Sequence, residues 1–263
     1  MPKETTIRSF NSRKKNKSKN LPKATPSSLP KPPETIVNLG KELMIIDDFD
    51  RNYDFIRPII QFRGITLING KKIILDDIYF EIKKDQIFGV VGTAKVTQVI
   101  LRLISTEQTK SLGKILVDGL DIDVYKLQVK PRTNLIYNNA GFWPFISIKN
   151  ILQLGLWRAK NSTKVYEILN LARLWDKSRL AFARLSRLDK QLFRIATSLV
   201  DSAPIILLHQ PFAGMSDTDI GVIKNVLKAV KKTGRTIIVT SEISRPMNNL
   251  CEALITIDDG KKL

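Results

Sequence analysis

The residues best placed for chemistry are few, and they lie at the ends of short apolar runs. His209, the only histidine, follows the run Pro204 to Leu208, and Gln210 comes directly after it. A second such point is Gly92, which ends the run Gln86 to Val91 and is followed by Thr93, Ala94, Lys95, Val96, Thr97, Gln98 and Val99. Lys95, in the turn that follows this run, reads as a solvated loop lysine. A transition metal on His209 needs partners. With no second histidine and one distant cysteine, Cys251, no metal site is expected, and a histidine packed at a sheet edge is the plainer reading. A single cysteine also excludes an intramolecular disulfide and suits a reducing compartment.

The elements that must position these residues follow from periodicity. The stretches IIQFRGITLI and KKIILDDIYFEI are β-rich and flank Asn69-Gly70, a hairpin-type turn. The buried strand Gln86 to Val91 precedes a segment in which Val96, Val99, Ile100, Leu103 and Ile104 share one helical face. Further strands are expected at Lys114 to Val117, Asn134 to Tyr137, Pro204 to Leu208, Thr236 to Thr240 and Ala253 to Ile257. Helices are expected over residues 147–159, 162–174, 187–200 and 217–232. Strands alternating with helices imply an α/β fold whose parallel sheet is covered on both faces, preceded by an antiparallel β piece.

Residues 1–34 are rich in Lys, Asn, Ser and Pro, a composition that cannot repay ordering entropy, so a disordered basic tail is expected. Residues 35–58 read as a linker or short helix, and 59–263 as the folded domain. The chain has 43 Lys+Arg against 25 Asp+Glu, a net charge of +18, and about +11 of it lies outside the tail. Such a surplus attracts nucleic acid or an anionic lipid face and says nothing about fold; a lysine-favouring base composition is the bland alternative. No run of about 18 apolar residues is present, so neither a membrane span nor a secretory signal is expected.

Five landmarks occur in order. They are KKIILDDIYFEIKKDQIFGVVG, GKILVDGLDI, GFWPFISIKNIL, LSRLDKQLFRIATSLVDSAPIILLHQPFAGM and RTIIVTSE. Over nearly all of residues 62–263 this series resembles the ATP-binding subunit of an ABC (ATP-binding cassette) transporter, and drug and polysaccharide exporter cassettes in particular. The resemblance implies a P-loop NTPase-like ABC ATPase fold, with an antiparallel β subdomain and a helical subdomain at about residues 138–200.

It also implies where nucleotide chemistry would sit. The phosphate loop of the family, G-x-x-x-x-G-K-[ST], corresponds to Gly92 onward. Its lysine and hydroxyl positions read Gln98 and Val99 counted forward from Gly92, or Thr97 and Gln98 if one residue is deleted; both registers lack the lysine. The Walker B aspartate and glutamate correspond to His209 and Gln210, the glutamine of the glutamine loop to Asn138, and the switch histidine to Glu242. Asn69 stands for the adenine-stacking aromatic, and Arg187, Leu188 and Asp189 for the glycines and glutamine of the signature, after a retained Leu185 and Ser186. Met215 and Ser216 replace the leucine and aspartate expected after Gly214. Phosphoryl transfer depends on positioning and electrostatics supplied by the replaced groups.

The expectation is therefore a non-catalytic subunit needing no cofactor. Its nucleotide contacts, if any, would be Gly92, Thr93, Lys95, Thr97 and Gln98. It would be a homodimer, or a heterodimer with an ABC ATPase subunit, and peripheral on the cytoplasmic face of a membrane. A membrane-spanning transporter subunit is the further partner. Phe142, Trp143 and Phe145 lie where such a subunit would insert, unless two or more of these rings are core. The alternatives are a divergent ATPase using ATP and magnesium, and a nucleic-acid- or ribosome-associated protein whose tail binds RNA or anionic lipid.

Overall fold

The computed structural model describes residues 58–258 and 260–262, so the expectations for the tail and for most of residues 35–58 lie outside the described residues. The first half of the chain runs β1 (Ile60–Asn69), β2 (Lys72–Ile82), β3 (Ile87–Val91), α1 (Ala94–Ile104), β4 (Leu112–Val117), β5 (Leu120–Asp121), the short α2 (Lys126–Val129) and β6 (Thr133–Tyr137). There follow α3 (Ile148–Ala159), α4 (Val165–Leu171), α5 (Arg187–Thr197), β7 (Ile205–His209), α6 (Asp217–Lys231), β8 (Thr236–Ser241), β9 (Ala253–Asp258) and β10 (Lys261–Lys262).

Two sheets form. A four-stranded antiparallel sheet has the order β2-β1-β4-β5, and a six-stranded sheet has the order β10-β9-β3-β8-β7-β6. In the second sheet β9, β3, β8, β7 and β6 pair in parallel, and only β10 runs antiparallel, at the edge. This is the α/β arrangement expected from the alternation of strands and helices.

Alternation along the central strands divides the core in two. On one face Ile87, Val91, Ile206, Leu208, Ile237 and Val239 join a cluster with residues of α3, α4, α5 and α6. On the other, Phe88, Val90, Ile205, Leu207 and Ile238 pack with residues of α1 and the antiparallel sheet. A strand whose neighbours point to opposite faces and are buried on both reads as a continuous apolar run, and IFGVV and the IILL that precedes His209 are such runs.

The helices between β6 and β7 are shorter than their periodicity suggests. The stretch 162–174 yields only Val165–Leu171, because the chain then turns through Arg173 at φ 60°. The stretch 187–200 stops at Thr197, where the Thr197 and Ser198 hydroxyls donate to the carbonyls of Arg194 and Ile195. Side-chain hydroxyls that compete for backbone groups favour ends over interiors. The β1–β2 hairpin also differs from expectation. Asn69 pairs with Lys72, so the central residues of the turn are Gly70 and Lys71. The positive φ of 63° falls on Gly70, the residue that tolerates it.

Candidate functional site

The parallel strands β3, β8 and β7 end side by side, and the turn from β3 into α1 crosses their carboxyl ends, the usual position for a ligand in an open α/β sheet. That turn is short. Only Gly92 and Thr93 separate the last strand residue, Val91, from the first helical residue, Ala94. The Gly92 N–H donates to the Ser241 carbonyl at 3.0 Å, which ties the turn to the end of β8. A Cβ at Gly92 would come within 2.7 Å of the Ile257 carbonyl, so this glycine is needed for close approach to β9.

Thr93 caps α1, its hydroxyl accepting from the Val96 N–H at 3.4 Å. Thr97 is fully buried, and its hydroxyl donates back toward the carbonyls of Thr93 (3.1 Å) and Ala94 (3.2 Å). Lys95 is exposed, and Gln98 is half-buried beside Tyr137. A further donor at the start of the helix, the Ala94 N–H, is met from outside it. The Glu242 carboxylate, just past the end of β8, accepts from it at 3.2 Å. A carboxylate at a helix N-terminus is favoured by the partial positive charge there.

His209 completes the cluster from the end of β7. Its Nε2 lies 3.3 Å from the Ala94 carbonyl, an acceptor only, so Nε2 carries a proton and donates it. Burial lowers its pKa, against weaker opposing effects of the Ala94 carbonyl and the Glu242 charge. The Tyr137 ring packs beside it with centroids 5.7 Å apart. The Tyr137 hydroxyl donates to Glu107 at 3.3 Å, and burial together with the Glu107 charge raises its pKa.

Gln210, the next residue, sits at φ 52°, and its N–H donates to the Thr240 hydroxyl at 3.0 Å. Its side-chain Nε2 is buried without a partner among the described residues. That amide lines a cleft of about 590 Å³ bounded by Phe212, Met215, Glu242 and Pro246.

The structure thus gathers Gly92, Thr93, His209 and Glu242 around the two polar groups of Ala94. Asn138 lies elsewhere, in a separate cleft along α5 with Asn139, Arg187, Lys190, Gln191 and Arg194. Of the three aromatic candidates, Phe142 packs edge-on against Phe182 (5.1 Å) and Phe193 (5.0 Å) in the core. Trp143 and Phe145 are 51% and 90% exposed. The participation of Ala94, Ser241 and Ile257 through backbone atoms leaves no mark on residue type, and sequence reasoning had no means of finding it.

Serine caps open the other helices that border the site. Ser186, retained at the signature position, accepts from the Asp189 N–H at 3.1 Å and donates to its carboxylate at 2.6 Å. Lys177 Nζ reaches the same carboxylate at 2.6 and 2.7 Å. Burial would raise the pKa of Asp189, but the bonds from Lys177 and Ser186 outweigh it and hold the carboxyl below its ordinary value. Ser216 caps α6 through the Asp219 N–H.

No family model matches the chain. Among curated proteins it is 24% identical over 213 residues to the Nod factor export ATP-binding protein I of Cupriavidus metallidurans, covering 78% of this chain and 70% of that protein. It is 22% identical over 208 residues to an uncharacterized ABC transporter ATP-binding protein of Methanocaldococcus jannaschii, covering 78% and 76%. The chain spans about two thirds of the length of the Nod factor export proteins it matches. Among solved structures, cbiO1 of Clostridium perfringens, described as part of the ABC transporter complex cbiONQ, superposes with a TM-score of 0.69 at 18% identity, covering 78% of this chain and 87% of that one. The order of elements, the sequence relatives and the structural neighbours agree: the chain carries the ABC ATPase fold and is a relative of ABC transporter ATP-binding proteins.

Proposed function

We propose that the chain is an ABC-type subunit that binds and builds without using nucleotide, a structural partner in a membrane-associated assembly. The observation that carries this reading is the Glu242 carboxylate on the Ala94 N–H, 3.2 Å away at the start of α1. A triphosphate approaching that helix would have to displace a like charge. The groups nearby do not fit magnesium-bound ATP. The end of β7 offers a neutral imidazole and an amide rather than carboxylates for a hard cation, and the Thr97 hydroxyl is engaged inside α1. The turn itself, held by Ser241 and packed on Ile257, has no glycine beyond Gly92 to wrap an anion.

On this reading the subunit pairs with itself or with an ABC ATPase subunit and sits against a membrane-spanning partner, on the cytoplasmic side. Among the described residues no helix is long and apolar enough to cross a membrane. Trp143 and Phe145 supply exposed aromatic anchors for such a partner. The cbiO1 neighbour is described as part of a transporter complex, which supports an assembly of that kind.

A second reading, an active ATP-binding subunit that energises a transporter, is favoured by the relatives, which are called export or transporter ATP-binding proteins. Equilibrium binding of labelled ATP with magnesium to the full chain separates the two. The first reading requires no saturable binding below the millimolar range; micromolar binding with turnover of order one per second would establish the second.

A further inference from the structure

The cleft along α5 lies apart from the α1 turn and has a different character. Arg187, Lys190 and Arg194 are three and four positions apart on α5 and so share one helical face, and all three line a cleft of about 400 Å³. Two of them are fixed by backbone carbonyls on different walls. Arg194 donates through Nε to the Ala140 carbonyl at 2.8 Å, and Arg187 through Nη2 toward the Ala213 carbonyl at 3.4 Å. Lys190 Nζ lies between them along the helix, 5.9 Å from the Phe182 ring centre.

No carboxylate balances this group. Among the described residues none of the three cations forms an ion pair. The one acid of α5, Asp189, is committed to Lys177 and Ser186. Asn138 and Asn139 line the same cleft, and their side chains carry amide donors. Guanidinium groups held in place keep their remaining N–H groups preorganised for oxygen anions, because little freedom is left to lose on binding. The volume is in the range of small-molecule sites and exceeds what one ordered water would need.

We propose that this cleft binds a multivalent oxyanion, of the phosphate or polycarboxylate type, held by Arg187, Lys190 and Arg194 and hydrogen-bonded by the amides of Asn138 and Asn139. The inference concerns α5 rather than α1 and needs neither adenine nor magnesium, although Asn138 and Arg187 are positions that the resemblance matches to the glutamine loop and the signature.

The test is titration calorimetry of the full-length protein with inorganic tripolyphosphate, and separately with citrate, in magnesium-free buffer at about 0.15 M salt, where long-range attraction to the basic chain is screened. Saturable binding of either anion is expected, weakened at least tenfold in the double variant R187A/K190A. That variant leaves the Arg194–Ala140 bond intact, and an unchanged thermal midpoint checks its fold. A control, K71A/K84A, removes the same charge from the exposed turns on either side of β2, and should bind within twofold of the wild type. No saturable binding of either anion, or an equal loss in the control, would overturn the proposal, the latter by showing attraction to net charge alone. Loss in K95A with full binding in R187A/K190A would place the anion at α1 instead, and would sink both this inference and the reading of a helix start closed by Glu242.

Discussion

Two helix starts border the carboxyl ends of the sheet, and they are closed in different ways. At α5 the closure is local: Ser186 and Asp189 cap the helix three residues apart, with Lys177 bound to the same carboxylate. At α1 the cap Thr93 is local, but the Ala94 N–H is met by Glu242, 148 residues further along the chain. The first closure is part of the fold, because Asp189 is buried and its removal strands its partners. The second is an addition from an exposed loop, so it can be removed with little loss of stability. On the reading proposed above, one region is maintained for structure and the other for what it keeps out.

The comparison can be broken most sharply at Gly92. If this glycine served only to admit a phosphate, adding a methyl group would leave the apo protein intact. Because a Cβ there would lie 2.7 Å from the Ile257 carbonyl, Gly92→Ala is expected to destabilise the protein by about 3 kcal/mol in chemical denaturation.

Asp189→Ala should cost about 2 kcal/mol through the lost charge-assisted bonds at the α5 start. Its pH dependence has a fixed sign. The folded carboxyl lies below its ordinary value, so its stabilisation is present above the unfolded pKa, near 3.8, and is lost as pH falls through the lower folded value. Stability measured from pH 5 downward should fall more steeply in the wild type than in Asp189→Asn. Ser186→Ala follows at about 1 kcal/mol, the usual worth of a helix cap.

His209 gives a smaller effect of the same sign, in a higher pH window. Its folded pKa is depressed below the unfolded 6.5, so the neutral ring stabilises the fold above that pH, and this contribution is lost as pH falls from about 6.5 through the folded value. His209→Asn should flatten the stability profile between pH 7 and 5. Glu242→Ala should change the denaturation midpoint least of all, while exposing the Ala94 N–H. A large loss of stability in Glu242→Ala would merge the two helix starts into one structural class and remove the contrast.

Much of this was legible in the sequence, for a physical reason. Strands buried on both faces, such as Ile87–Val91 and the Ile205 to Leu208 part of β7, must be apolar throughout, and a helix such as α6 must carry its buried Ile223, Val226, Leu227 and Val230 on one stripe. These patterns are local. The end of α4 was not legible, because it depends on the left-handed turn at Arg173, and no residue preference announces that. Nor could the three aromatics after Gly141 be sorted: Phe142 goes inside because Phe182 and Phe193 come to meet it, a tertiary fact. At the candidate site the unusual residues His209 and Glu242 stood out, but the residue they share, Ala94 through its backbone carbonyl and N–H, did not.

The central claim is that Glu242 occupies the start of α1 in place of nucleotide. The amide resonance of Ala94, followed by ¹⁵N–¹H NMR in the full-length chain during titration with magnesium-ATP, tests it most directly. The account predicts a signal that stays in place up to millimolar nucleotide and moves when Glu242 is changed to Ala. A wild-type shift that saturates at micromolar ATP would contradict it.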